Sequence, residues 1–128
     1  MSAENEALVR RYVEEVYDQC KLEVVDELFA SDFTLHDPDY PGGEIGPEGI
    51  KRIVDMFPDL QVSLDDELSS GEKVITRWIA RGTHQGELMS IAPTGNRINV
   101  TTLSIWRVQD GKISEAWRVF DARACCNS

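Results

Sequence analysis

The order of apolar and polar positions divides the chain into a helical first part and a strand-rich second part. Leu8, Val9, Tyr12, Val13, Val16 and Tyr17 recur in pairs four apart, which places them on one stripe of an amphipathic helix. Val24, Val25, Leu28 and Phe29 predict a short second helix, and Phe33 and Leu35, alternating with Thr34, a brief strand. The Pro- and Gly-rich DPDYPGG that follows reads as an irregular loop. Gly46-Pro47-Glu48 marks the start of a third helix, since proline suits the first helical position. Ile50, Ile53, Val54 and Phe57 supply its buried face, and Pro58 ends it.

From Leu60 onward the period becomes two, with Leu60, Val62 and Leu64 alternating with Gln61, Ser63 and Asp65. Strands over KVITRWIARGTH, RINVTTLSIWRV and KISEAWRVFD follow. Gly71-Glu72 turns the chain into the first of these, and Asp110-Gly111, a strong two-residue hairpin signal, joins the last two. No repeat or linker interrupts this order. It predicts one α+β domain over residues 1–128, with helices on one face of a mostly antiparallel sheet.

With Asp110 and Gly111 as the turn, a regular ladder pairs Trp106 with Glu115, Ser104 with Trp117, Thr102 with Val119 and Val100 with Asp121. Those eight residues would share one face, and Leu103, Ile105, Ala116 and Phe120 the other. Both faces are substantially apolar. One can pack under the helices; the other then needs a partner, and a second copy meeting it through the sheet is the simplest.

Composition narrows the partners. Thirteen basic against twenty-three acidic residues give a net charge of −10, which argues against nucleic acid or an anionic membrane surface. No apolar run approaches the roughly 20 residues of a membrane span, and MSAENEALVRR lacks the basic start and apolar stretch of a secretory signal. Three cysteines cannot all pair within one chain, so a reduced, cytoplasmic protein is expected. Two histidines without metal-like spacing predict no metal, and the absence of a phosphate-cradling glycine motif predicts no nucleotide cofactor.

Several residues could carry chemistry. Asp121 closes KISEAWRVFD, either as a solvated strand end or as a carboxyl whose pKa aromatic neighbours raise toward the range of general acid–base work. His84 in RGTHQG and His36 in LHDP end two other strands, where each is either satisfied by loop backbone or positioned to bind a substrate oxygen or move a proton. Trp78, Trp106 and Trp117 are either core or the walls of a site for a flat aromatic ligand. Tyr40 in the loop and Phe57 at the end of the third helix join them as candidate substrate-binding residues. Asp37, Asp39 and Asp59 lie in turn-like sequence rather than in a cation site, and no base is placed to activate Cys125 or Cys126.

The segments VEEVYDQCKLEVVDELFASDFTLHDP, MFPDLQVSLDDELSSGEKVITRWIARGTHQGEL, APTGNRI and VQDGKISEAWRVFD resemble the SnoaL-like polyketide cyclase (ester cyclase) family over nearly the whole chain. The distinctive parts are FPDL, RGTH, PTG and the E-W-(three residues)-D pattern of Glu115, Trp117 and Asp121. The resemblance implies an NTF2-like cone, with three helices closing over a strongly curved sheet around a pocket, and a homodimer or homotetramer formed through the outer sheet face. It also implies cofactor-independent aldol closure of a polyketide-like ring, with Asp121 as general acid/base and His84 and His36 near the pocket. A non-catalytic small-molecule-binding module, or an isomerase or epoxide hydrolase on the same cone, is the alternative. The tail ARACCNS and the proline-rich loop depart from the family pattern where substrate identity would be set.

Overall fold

The structure is a computed structural model and describes residues 2–19, 21–38, 42–55, 59–83 and 97–120. Helix α1 (Ser2–Tyr12) runs on into a π-helical turn (Val13–Asp18), followed by α2 (Glu23–Leu28), strand β1 (Phe29–His36), β2 (Glu44–Ile45) and α3 (Pro47–Asp55). The strands β3 (Gln61–Ser70), β4 (Lys73–Thr83), β5 (Arg97–Gln109) and β6 (Lys112–Phe120) then form the meander. A curved sheet of six strands has the order β2-β1-β6-β5-β4-β3, all antiparallel except for β1 against β6. The helix-then-meander order matches the sequence expectation. The two-residue β2 is an addition, lying at the end of what reads as an irregular loop.

Burial alternates along the sheet. Val74, Thr76, Trp78 and Ala80 of β4 are buried, as are Val100, Thr102, Ser104, Trp106 and Val108 of β5 and Phe33 and Leu35 of β1. The apolar ones join Val9, Tyr12, Val13 and Val16 of the first helical segment, Val25 and Leu28 of α2, and Ile50 and Val54 of α3 in one core. This is the inner face. The predicted buried face of α3 is confirmed at Ile50, Ile53 and Val54, while Phe57 lies outside the described residues.

Two local departures from regularity shape this interior. The predicted α-helical stripe loosens after Tyr12, where the Gln19 amide donates to the Glu14 carbonyl at 3.1 Å, a π-type span of five residues. The wider turn brings together residues five apart, so the rings of Tyr12 and Tyr17 meet edge-on at 5.1 Å.

The second departure corrects the hairpin register. Asp110 (φ 54°) and Gly111 (φ 74°) form the expected turn, and Gln109 opposes Lys112 and Val108 opposes Ile113 as a regular ladder requires. Ser114 is then an extra residue, so Arg107 opposes Glu115, Trp106 opposes Ala116, Ser104 opposes Arg118 and Thr102 opposes Phe120. Glu115, Trp117 and Val119 therefore do not share a face with Trp106, Ser104, Thr102 and Val100, as a regular ladder predicts. The reason lies in burial. Ile113 and Ala116 are both fully buried, and three is an odd spacing that an unbroken strand cannot place on one face, so the strand bulges.

Candidate functional site

Several buried polar groups lie on the inner face. Arg118 of β6 is 8% exposed and Asp37, just past β1, 1% exposed. Nε and Nη2 of Arg118 both donate to Oδ2 of Asp37, at 3.0 and 2.8 Å. Burial acts to lower the guanidinium pKa, but Tyr17 and Asp37 together outweigh it and hold the group above its ordinary value. The guanidinium thus stays charged inside the fold. Parallel pairing of β1 with β6, Leu35 against Ala116 and His36 against Trp117, brings the two residues together.

Tyr12, which ends α1, and Tyr17, in the π-helical turn, border this pair. The Tyr12 hydroxyl donates to that of Tyr17 at 2.8 Å. Burial first, and the adjoining Tyr17 second, push the Tyr12 phenol well above its usual pKa of 10.0. Tyr12 therefore remains a donor. Its ring also packs on Phe29 at 4.9 Å and on Trp106 at 5.1 Å.

The three tryptophans have three different settings. Trp106 is 1% exposed and its Nε1 donates to Thr76 Oγ1 at 2.9 Å, so its edge and its ring are both used by the core. Trp78 is 3% exposed and lies under the Tyr17 ring at 4.9 Å, yet its Nε1 meets no acceptor, and Ser104 Oγ is likewise buried without a partner. An unmade hydrogen bond at a buried group costs about 1–3 kcal/mol, so two such groups on one face require an explanation.

Trp117 belongs to the other face. It stacks on His36 with centroids 5.6 Å apart, and Lys73 Nζ lies 5.5 Å from the centre of its ring. His36 Nε2 and Glu115 Oε2 form a hydrogen bond of 2.6 Å, and Arg107 donates to the other Glu115 oxygen at 2.6 Å. A groove of about 600 Å³ adjoins them, lined by Ile75, Leu103, Ile105 and Val119. Ile75, Leu103 and Val119 are 45%, 49% and 51% exposed, which makes this face apolar as well as open.

His36 and Trp117 are thus separated by the sheet from Trp78 and Trp106. Asp121, His84 and Tyr40 lie, like Phe57, outside the described residues. Asp59, read from sequence as a turn residue, accepts from the Thr83 amide at 2.8 Å and from its hydroxyl at 2.7 Å, which fixes the end of β4 just before His84. Sequence reasoning missed Asp37, Arg118, Ser104 and the tyrosine pair. Arg118 carried the one readable signal, an arginine within the otherwise apolar run AWRVF. Among the described residues no group of three or more His, Cys, Asp or Glu side chains could hold a metal ion, and no helix is long and apolar enough to cross a membrane.

A helix-covered curved sheet with aromatic and buried polar groups on its inner face places the chain in the NTF2-like α+β class. A model of the SnoaL-like polyketide cyclase family matches residues 7–126, and the chain belongs to that family. Among solved structures it is similar to IdmH, a proposed polyketide cyclase from Streptomyces antibioticus, at 31% identity over 94% of each chain with a TM-score of 0.74. It is also similar to AclR, a proposed hydroxylase from Streptomyces galilaeus, at 26% identity, over 98% of this chain and 83% of that one, with a TM-score of 0.79. A proposed polyketide cyclase from Acidithiobacillus ferrooxidans shares the fold at 21% identity, with a TM-score of 0.81 over 97% of this chain and 92% of that one. No curated protein sequence matches the chain significantly.

Proposed function

We propose that the protein is a cofactor-independent cyclase of a polyketide-like small molecule, closing a ring by intramolecular aldol condensation with Asp121 as general acid/base. The family match over residues 7–126 carries this reading, because it spans the E-W-(three)-D pattern that ends on Asp121. Structural similarity to a proposed polyketide cyclase at 31% identity supports it.

The chemistry suits a single carboxylate. Asp121 takes a proton from a methylene flanked by carbonyl groups, and the resulting enolate carbon bonds to a ketone carbon of the same molecule. The ketone oxygen gains the charge and receives the proton back, so the product is an isomer of the substrate and nothing is consumed. Orientation of the two carbons can contribute on the order of 7–11 kcal/mol and the acid/base about 10²–10⁴ in rate. His84, in the RGTH motif, is assigned to a carbonyl oxygen. His36 and Trp117 are not assigned to the reacting centre, since they lie on the opposite face from Trp78 and Trp106.

A homodimer through the outer face completes the proposal. Leu68 opposes Ile75, Ile75 opposes Ile105, and Ile105 opposes Trp117, an unbroken row across four strands. A row of this kind is complementary to its own copy under two-fold symmetry.

The test is turnover of methyl-ester polyketides bearing a β-keto side chain, followed by chromatography as conversion to a product of unchanged mass. Wild type should close the ring, and Asp121→Asn should lose about 10²–10⁴ in kcat with ligand affinity retained. Near-wild-type turnover by Asp121→Asn would remove that residue from the mechanism; binding without turnover by wild type would favour a binding module.

A further inference from the structure

We infer that Trp78 and Ser104 form an acceptor-reading pair, which recognises a neutral carbonyl oxygen of the bound molecule and makes the inner face selective for oxygenated over plain aromatic ligands. The inference rests on the small-molecule activity proposed above and sets its ligand against the inner face, the side of Trp78 and Trp106.

Three observations converge. Trp78 Nε1 and Ser104 Oγ are both buried without a hydrogen-bond partner, on residues 3% and 2% exposed. The neighbouring Trp106 shows that this fold does satisfy an inner-face indole, through Thr76 at 2.9 Å. The register makes Trp78 and Ser104 neighbours: Trp78 opposes Thr102 and Thr76 opposes Ser104, so the two stand on adjacent strands, offset by two residues on one face. Diagonal cross-strand positions are about 7–8 Å apart, a distance that an aromatic side chain such as Trp78 can span.

The chemistry of the pair selects its ligand. An indole N–H only donates, and a hydroxyl can donate to a second lone pair of the same oxygen. Ser104 also opposes Arg118, whose positive charge favours an oxygen carrying partial negative charge. Arg118 is already ion-paired with Asp37, and a ketone or ester carbonyl adds no net charge beside that pair, whereas a carboxylate would. Both atoms are closed to solvent beneath their neighbours, and the Tyr17 ring lies on Trp78, so an incoming oxygen must displace packed groups.

The test compares 2-acetylnaphthalene with 2-ethylnaphthalene, which share shape but differ in the carbonyl, by equilibrium dialysis against the full chain. Ser104→Ala and Trp78→Phe should each weaken the ketone about tenfold and leave the hydrocarbon within twofold, because each removes a hydrogen bond that only the carbonyl can accept. Thermal unfolding confirms that each variant folds, and either one alone suffices. Equal loss for both probes, no loss for either, or no binding of the ketone by wild type would overturn the inference. Asp121→Asn should keep the wild-type ratio, so a failed mechanism for Asp121 and a failed carbonyl site give different results.

Discussion

Arg118 directs two nitrogens at a single oxygen of Asp37, at 3.0 and 2.8 Å, with both side chains withdrawn from water. The pair joins the last strand to the loop that follows β1. Removing one partner deprives the other, still buried, charge of this ion pair. We expect Asp37→Leu and Arg118→Met each to lower stability by about 3–5 kcal/mol, and the two together to recover most of the loss. Urea unfolding of the two single variants and the double variant checks this, and additive losses would contradict it.

The inner tryptophans should differ in what they contribute. Trp106→Phe removes the acceptor partner's donor and leaves the fully buried Thr76 hydroxyl unmatched, so it should cost about 1–3 kcal/mol beyond the lost ring area. Trp78→Phe removes a donor that bonds to nothing, so its cost should be limited to packing. The same denaturant series measures both, and equal losses would show that the Trp106–Thr76 bond contributes little.

Glu67 links acidity to stability. Its carboxyl lies beneath α1, with one oxygen paired to Arg10 and the other buried without a partner. Burial is the larger influence and Arg10 the smaller, so the pKa in the fold lies above the ordinary 4.5. A raised acid favours folding while it is protonated, so this contribution is fully present below about pH 4.5 and lost as pH rises through the folded value. Glu67→Gln should therefore raise Tm near neutral pH and lose that advantage in acid. Arg10 is half exposed, so the ion pair given up is a small offset. Melting curves across pH decide it; a Tm gain independent of pH would exclude the linkage.

The outer face should govern assembly. A charge at Ile105, in the middle of the row from Leu68 to Trp117, cannot be buried against a second copy without a large desolvation cost. Light scattering after size exclusion should show wild type as a dimer and Ile105→Asp as a monomer with unchanged secondary structure. A monomeric wild type would leave the apolar face without its proposed occupant.

Much of this architecture is legible in the sequence, because period-four and period-two patterns report which faces must leave water. Ile50, Ile53 and Val54 locate the buried stripe of α3, and Asp110-Gly111 alone places the last hairpin turn. The family pattern ending on Asp121 was readable too, because it consists of residue types at fixed spacing. Other features depend on contacts between segments distant in the chain. Asp37 looks like a turn residue until parallel pairing of β1 with β6 sets it beside Arg118, 81 positions away. The face of Trp117 depends on one extra residue, Ser114, which enters because both Ile113 and Ala116 must be buried. Which tryptophan packs, which faces outward and which keeps an unpartnered N–H is decided by the neighbours that tertiary structure supplies, since the local pattern around all three is the same alternating strand.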